Sequence, residues 1–343
     1  MRAWLRPSRG PPATSLKLST IPTPTITHDS TDILIRVAYS ALQYSSEFML
    51  RTLPAIPGLP PRIPELEWSG VVVAAGSRAP AELREIGARV AAFHAIPNFA
   101  LYGYGCLAEY VKVPASQVVR LSGDFDLVAA GGISGAGSTA LKMMHAAGVS
   151  QGDKVLVNGA SSSVGSVMVQ MCKAKGITVL GTASGGNEEL VRGLGVDEFI
   201  DYTARPLPEY LSDKHSTQPF DAILDCAGIQ ALYTHSPAYL KPSGAVVNVG
   251  SFEGFLATFS NWFLNAWRPT WLGGIPRRYI MFSTPPSTDA TAITARLIDE
   301  GKVRMLIDSV WEIEDVVKAY ARIATKRARG KVIVKVGKDG RGC

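Results

Sequence analysis

The sequence predicts an α/β protein with a doubly wound parallel sheet, combined with a separate β-rich region. Three observations carry this prediction. From Lys154 onward, short apolar runs with little alternation are separated by helix-length segments, the pattern of strands buried on both faces. There are six such runs, the number in a full doubly wound sheet. The first third of the chain instead has strand composition, punctuated at short spacing by proline and glycine.

The elements follow in order. "MRAWL" reads as a first strand. The surrounding "MRAWLRPSRGPPATSLKLST" has arginines and no acid before Asp29, a presequence-like bias, but its prolines break any amphipathic helix. "DILIRVAYSAL" (32–42), "WSGVVVAAG" (68–76), "ARVAAF" and "LAEYVKV" have strand composition. "LPAIPGLPPRIPEL" is too proline-rich for helix or ladder and reads as a rigid surface loop, with a polyproline-type ligand as the alternative. "FDLVAAGGISGAGSTALKMMHAAG" (125–148) has helical spacing. The parallel strands are then "KVLVNG", "TVLGTA", "EFIDY", "FDAILDCAG", "GAVVNVGS" and "RRYIMFST". "ATAITARLIDEG" and "EIEDVVKAYARIATKRARG" read as amphipathic helices, the second opening on acids and ending on bases in accord with the helix dipole. "KVIVKV" closes the chain as a strand.

At 343 residues the chain has room for two domains. The net charge of +6 is scattered, and its densest cluster, "KRARGK" (326–331), reads as a solvated helix end rather than a nucleic-acid patch. An anionic small molecule suits the charge at least as well. Cys106, Cys172, Cys226 and Cys343 form no C-x-x-C pair, and the five histidines are isolated, so neither a zinc cage nor a disulfide framework is expected. The longest apolar stretch, around residues 252–274, is interrupted by Glu253, Asn261, Asn265 and Arg268. It is no membrane span, and a soluble, cytoplasmic protein is expected.

The segment "VLVNGASSSVGSVMVQMCKAKGITVLGTAS" (155–184) carries the chemistry. A dinucleotide turn needs a tight bend after a strand, backbone N–H groups at a helix N-terminus, and a small residue where helix meets strand. In the G-x-G-x-x-G frame ending at Gly165, the first two glycines are Ala160 and Ser162. The Ser162 hydroxyl would either donate to a phosphate or be a tolerated variant; a ligand-free turn is the alternative. The next strand ends in Thr182, Ala183 and Ser184, with no acid before Glu188. An acid there would bind a ribose hydroxyl and repel a 2′-phosphate, so its absence favours NADP(H) over NAD(H).

Together, "WSGVVVAAGS", "YGCLAEYVKVP", "GSTALKMMHAAGVSQGDKVLVNGASSSVG", "LGVDEFIDYT", "FDAILDCAG", "GAVVNVGS" and the segment from Leu297 to Val336 resemble the zinc-free medium-chain dehydrogenases/reductases. The nearest patterns are the quinone oxidoreductase and zeta-crystallin group and fungal trans-acting enoyl reductases. The resemblance implies a Rossmann domain at 122–285, inserted into a GroES-like substrate domain made of 1–121 and 286–343, with the active cleft at their junction. It implies pyrophosphate binding by Ser162, Ser163, Val164 and Gly165. The 2′-phosphate would lie at Ser184 to Asn187, held by Ser184, Asn187 and Tyr202. Gly186 replaces a frequent family lysine, and Arg192 is a substitute or a solvated helix residue. Val249, Gly250 and Thr139 would border the nicotinamide. Zinc-dependent relatives carry a Cys and a Gly-His-Glu where this chain has "ALQYSS" and Glu65-Leu66-Glu67, so no metal is expected. On the substrate side the chain has Gln43, Tyr44 and Ser46 in place of the family Asn and Asp, and Phe48 in place of an occasional tyrosine. Gln43 and Tyr44 are the candidate catalytic residues, Gln43 hydrogen-bonding a carbonyl or the cofactor amide and Tyr44 donating a proton, with a merely packed Tyr44 as the alternative.

The implied reaction is hydride transfer from NADPH to the β-carbon of an enone, enoyl thioester or quinone. The substrate would be a small molecule or a carrier-bound acyl group, with no nucleic-acid or membrane partner, in a monomer or homodimer. A polyketide-pathway enoyl reductase, a general quinone reductase and a non-catalytic NADPH-binding protein are the three readings. The aromatic run from Phe252 to Trp271 would line an acyl pocket, form a subunit interface, or pack in the core.

Overall fold

Among the described residues the strands build a seven-stranded sheet, a six-stranded sheet and a two-stranded ribbon. The computed structural model describes residues 1–52, 62–94, 103–282 and 284–337, apart from the Phe255 side chain. Most of the proline-rich loop, Cys343 and Ser283 lie outside the described residues. The first seven strands are β1 (Arg2–Leu5), β2 (Lys17–Thr20), β3 (Asp32–Ala41), β4 (Glu67–Ala75), β5 (Arg89–Phe93), β6 (Tyr110–Pro114) and β7 (Val118–Arg120). Then come β8 (Lys154–Asn158), β9 (Thr178–Ala183), β10 (Glu198–Asp201), β11 (Phe220–Asp225), β12 (Leu240–Asn248) and β13 (Arg278–Met281). The last two are β14 (Ile307–Glu312) and β15 (Lys331–Lys335). The chain divides into two compact units, residues 1–138 with those from 285 onward, and residues 139–284.

In the first unit the order is β14-β15-β3-β4-β5-β7, with β6 also on β3, and every pairing but β14–β15 is antiparallel. Ile33, Ile35 and Val37 of β3 are fully buried and pack with Trp68, Val72 and Val90. Burying each such side chain stabilises the fold by roughly 1.5–3 kcal/mol. A register shift between Val37 and Tyr39 lets the same strand serve a second core with Leu127, Ile133 and Ile333. β1 pairs with β2, and Trp4 Nε1 donates to the Ile313 carbonyl at 2.7 Å, so "MRAWL" is a strand tied to the C-terminal segment.

The helical stretch expected at 125–148 is two helices, Leu127–Ala130 and Ile133–Ala147. Asp126 caps the first by accepting the Val128 N–H at 3.0 Å. Between them, a Cβ on Gly132 would come 2.8 Å from Lys331 Cγ. Residues 122–138 cluster with the first unit, where Glu67 accepts the Gly135 N–H at 2.6 Å.

In the second unit the six strands are all parallel, in the order β10-β9-β8-β11-β12-β13. Counted within the unit this is 3-2-1-4-5-6, the doubly wound Rossmann order. The order reverses between β8 and β11, and ligands of such sheets bind outside the carboxyl ends of the strands at that switch point. Residues Asn158 and Asp225, which pair in register, stand there. Leu156, Ile223, Val246 and Phe220 are fully or almost fully buried in the core beneath. Among the described residues no helix is long and apolar enough to cross a membrane.

Candidate functional site

At the end of β8 the chain turns through Gly159, whose φ of +81° is a left-handed conformation that glycine adopts without strain. Gly159 therefore makes the tight bend, one residue before the alanine in the motif frame. Ser162 is the N-cap of the helix Ser163–Ala174, its Oγ accepting the Gly165 N–H at 3.0 Å. Ser163 and Val164 then supply first-turn N–H groups without intrahelical partners, at the positive end of the helix dipole. A Cβ on Gly165 would sit 2.2 Å from the Gly159 carbonyl oxygen, so helix and strand meet where only glycine fits. These features fit a pyrophosphate: first-turn N–H donors, a short helix–strand approach, and a capping serine whose own proton can donate.

After β9, Ser184 caps a single turn, Gly185–Asn187, that leads into the helix Glu188–Arg192. Asn187 Nδ2 donates to Ser184 Oγ at 3.0 Å, while its buried Oδ1 has no partner among the described residues. Turning the amide over exchanges the roles: Ser184 then donates, and an Asn187 N–H takes the unpartnered position. Tyr202 is half exposed, and its N–H reaches the Ala183 carbonyl, so it adjoins the same turn. Arg192 is engaged elsewhere, bonded to Glu188 at 2.8 Å and lying over the Phe199 ring. One acid escaped the motif reading. Asp201, in register with Ala183, places its carboxylate where a Cβ on Gly185 would be 2.5 Å away. Hydrogen bonds from Thr203, first its hydroxyl and then its N–H, hold that carboxyl below its usual range.

A buried polar row crosses the carboxyl ends of the strands. Thr182 Oγ1 donates to Asn158 Oδ1 at 2.6 Å, and Asn158 Nδ2 donates to Asp225 Oδ1 at 2.8 Å. Asp225 also accepts the N–H groups of Ala227, Gly228 and Ile229. Burial raises its carboxyl above the ordinary value, and these donors oppose the shift. Asn248 Oδ1 accepts the Gly250 N–H at 2.8 Å. A Cβ on Gly250 would lie 2.1 Å from the Ala227 carbonyl carbon, so the loops after β11 and β12 pack backbone to backbone. Val249 and Gly250 thus stand on a rigid shelf. Thr139, half-buried, lies on the helix Ile133–Ala147.

The candidate substrate-side residues belong to the first unit. Gln43 precedes the helix Tyr44–Thr52, and its buried Nε2 has no partner among the described residues. A buried unpaired donor costs roughly 1–3 kcal/mol, so its retention marks a place where a ligand oxygen would be rewarded. Tyr44 packs against the core and carries Lys326 Nζ 5.4 Å above its ring. Two buried acids of the same unit, not expected as functional from the sequence, are Glu65 and Glu67. Glu67 is bound to Lys331 Nζ at 2.5 Å and to the Gly135 N–H. Glu65 accepts from Tyr320 Oη at 2.6 Å and Ser46 Oγ at 2.9 Å. Zinc does not fit this donor set. Leu66 stands where zinc-dependent relatives have His, and the Glu67 carboxylate is already committed. Among the described residues no group of three or more acids, histidines or cysteines could hold a metal. His94 is buried, its imidazole pushed down to about 4 by desolvation.

The aromatic run forms the helix Phe255–Trp267 and the turn after it, and it is inverted. Thr258 is buried and Asn265 pairs reciprocally with Gln230, whereas Leu256, Phe259, Phe263, Trp267 and Trp271 are exposed. Core packing is therefore not the role of these outward side chains; Leu256 retains 90% of its accessible surface.

A doubly wound dinucleotide unit and a GroES-like β-rich unit in one chain define an oxidoreductase of the medium-chain type. Residues 29–123 match the alcohol dehydrogenase GroES-like domain and residues 194–334 match the zinc-binding dehydrogenase model. The chain is 42% identical to the medium chain reductase pydE of Acremonium sp., over 98% of this chain and 99% of that one. It is 35% identical to the trans-enoyl reductase poxH of Penicillium oxalicum, over 99% and 98%. Among solved structures, the quinone oxidoreductase from Coxiella burnetii aligns with a TM-score of 0.79 at 26% identity, covering 98% of this chain and 99% of that one. The chain belongs to the medium-chain dehydrogenase/reductase family, a family of nicotinamide-dinucleotide oxidoreductases.

Proposed function

We propose that this protein is an NADPH-dependent enoyl reductase that acts in trans on a carrier-bound polyketide intermediate. The observation that carries the substrate class is near-full-length similarity to a trans-enoyl reductase, at 35% identity. A bound nicotinamide dinucleotide supplies the hydride. The N–H groups of Ser163 and Val164 would hold its pyrophosphate, with Ser162 capping their helix and Gly165 keeping that helix close. Ser184, Asn187 and Tyr202 would receive the adenosine end. Support for NADPH is the absence of any acid at the end of β9; the Asp201 charge nearby is partly spent on its own turn. Thr139, Val249 and Gly250 would shape the nicotinamide end. Gln43 Nε2 would donate to the thioester oxygen as it gains enolate charge, and a donor aimed at developing charge is worth a few kcal/mol in a dry site. Tyr44 or water would deliver the final proton to the α-carbon.

A general quinone reductase is the second reading, favoured by the likeness to the Coxiella burnetii quinone oxidoreductase. A protein that binds NADPH without turnover is the third. The test is reduction of an α,β-unsaturated thioester with C4-deuterated NADPH. Deuterium at the product β-carbon is expected; cofactor binding without reduction of thioester or quinone would leave the third reading.

A further inference from the structure

Glu65 combines three features that ordinary packing does not require together. Its side chain is completely buried. Its backbone φ is +64°, a left-handed conformation that costs a non-glycine residue roughly 1–2 kcal/mol. Its carboxylate gathers donors from separate elements: Tyr320 Oη of the helix Val316–Ala324, Ser46 Oγ of the helix Tyr44–Thr52, and the backbone N–H of Gln43. The turn's own backbone bonds, from Cys106 N–H to the Pro64 and Glu65 carbonyls, need no particular side chain at 65. Glycine would relax the backbone there, so what a glutamate adds is the carboxylate and its three bonds.

We propose that Glu65 is a positioning residue for the Gln43–Tyr44 segment: its ionised carboxylate clamps that segment to the C-terminal helix, and protonation loosens the clamp. This rests on the reading of Gln43 as the donor to the substrate. The carboxylate accepts all three donors through charge-assisted bonds, about twice as strong as neutral ones; a carboxylic acid can donate to the Ser46 or Tyr320 hydroxyl instead, but every bond it makes is then neutral and weaker. Burial pushes the Glu65 carboxyl up to about 7, against the opposing pull of Tyr320, Ser46 and the Gln43 N–H. The other charged or titratable groups around it are Lys331 from β15, which favours the ionised form, and Cys106, whose thiol burial keeps protonated. Glu47 acts on the clamp through Tyr320, and Arg6 and Arg62 line a small cavity on which Ser46 and Glu65 open.

The test compares the wild type with Glu65→Gln and Tyr320→Phe. In the wild type, kcat/KM for the thioester is expected to fall about tenfold between pH 8 and pH 6 as the clamp protonates. Glu65→Gln should be low and flat across that window. Tyr320→Phe removes a donor that favours the carboxylate, so its inflection should move to higher pH. A second measurement needs no turnover. Opening that breaks the Ser46 and Gln43 bonds while Glu65 stays buried disfavours its charge, unlike global unfolding, which solvates it. Hydrogen-exchange protection of the peptide spanning 43–52, corrected for intrinsic rates, should therefore rise through the same inflection in the wild type only. An inflection that persists in Glu65→Gln overturns the proposal, as does one that Tyr320→Phe leaves unmoved. If the protein reduces no thioester, the reading of the site fails, and pH-independent protection would then sink the clamp separately.

Discussion

Ser162 Oγ accepts the N–H of Gly165 at 3.0 Å, so the serine in place of a motif glycine is the cap of the helix that follows. Gly159 has already made the bend that the missing first glycine would have made. Serine at an N-cap is worth about 1 kcal/mol over alanine and only a few tenths over glycine. Ser162→Ala should therefore lower stability in urea by about 1 kcal/mol, and Ser162→Gly by much less. NADPH affinity of Ser162→Gly should stay within about threefold, since backbone N–H groups carry the binding; a tenfold loss, about 1.4 kcal/mol, would make the hydroxyl a direct ligand.

Gly165 allows no such latitude. Its would-be Cβ meets a backbone carbonyl at 2.2 Å, and neither the helix nor β8 has a flexible atom to withdraw. Gly165→Ala should destabilise the protein by about 1–3 kcal/mol and weaken NADPH binding by at least tenfold, measured by denaturation and by cofactor fluorescence titration. Unchanged affinity in a folded variant would remove the turn from the cofactor site.

Asp201 adjoins the Ser184–Asn187 turn, so on the NADPH reading it is the acid that would oppose the 2′-phosphate. It stays ionised through the neutral range because Thr203 and neighbouring N–H groups hold its carboxyl down. Asp201→Asn should tighten NADPH binding by about threefold to tenfold relative to NADH, an effect that shrinks as salt is added. A shift toward NADH would show that Asp201 does not face the phosphate end.

Two buried groups of the first unit pull its pH stability in opposite directions. The Glu65 carboxyl is raised from 4.5 to about 7 on folding, so the unfolded state has fewer protons in that window and stability falls as pH rises. His94 is lowered from 6.5 to about 4, so the unfolded state has more protons and stability rises. Between pH 4.5 and 6.5 the two nearly cancel. In Glu65→Gln only His94 remains, and stability should climb with pH by roughly 1 kcal/mol per unit, against a flatter wild type, in urea titrations at stepped pH.

The doubly wound sheet was legible because parallel buried strands lose alternation, and "KVLVNG" through "GAVVNVGS" show that loss plainly. The expectation of no zinc rests on Leu66, which stands where a ligand histidine would be needed. Asp201 was missed because it belongs to the next strand; only its register with Ala183 brings it beside Ser184. The 125–148 stretch read as one helix because helical spacing continues across Gly131 and Gly132, whereas close packing against Tyr39 and Lys331 divides it. Glu65 was visible only as a residue replacing a family glycine. That replacement was the available signal, since a left-handed backbone under a glutamate demands a reason.

The central claim is tested most directly by following loss of NADPH absorbance with an α,β-unsaturated acyl thioester on a phosphopantetheine carrier, beside a simple quinone and beside NADH. The expected result is turnover of the thioester with NADPH, with kcat/KM at least about tenfold above that for the quinone, a preference of 1.4 kcal/mol or more. Equal or faster quinone reduction, or no thioester turnover while NADPH binds, would contradict it.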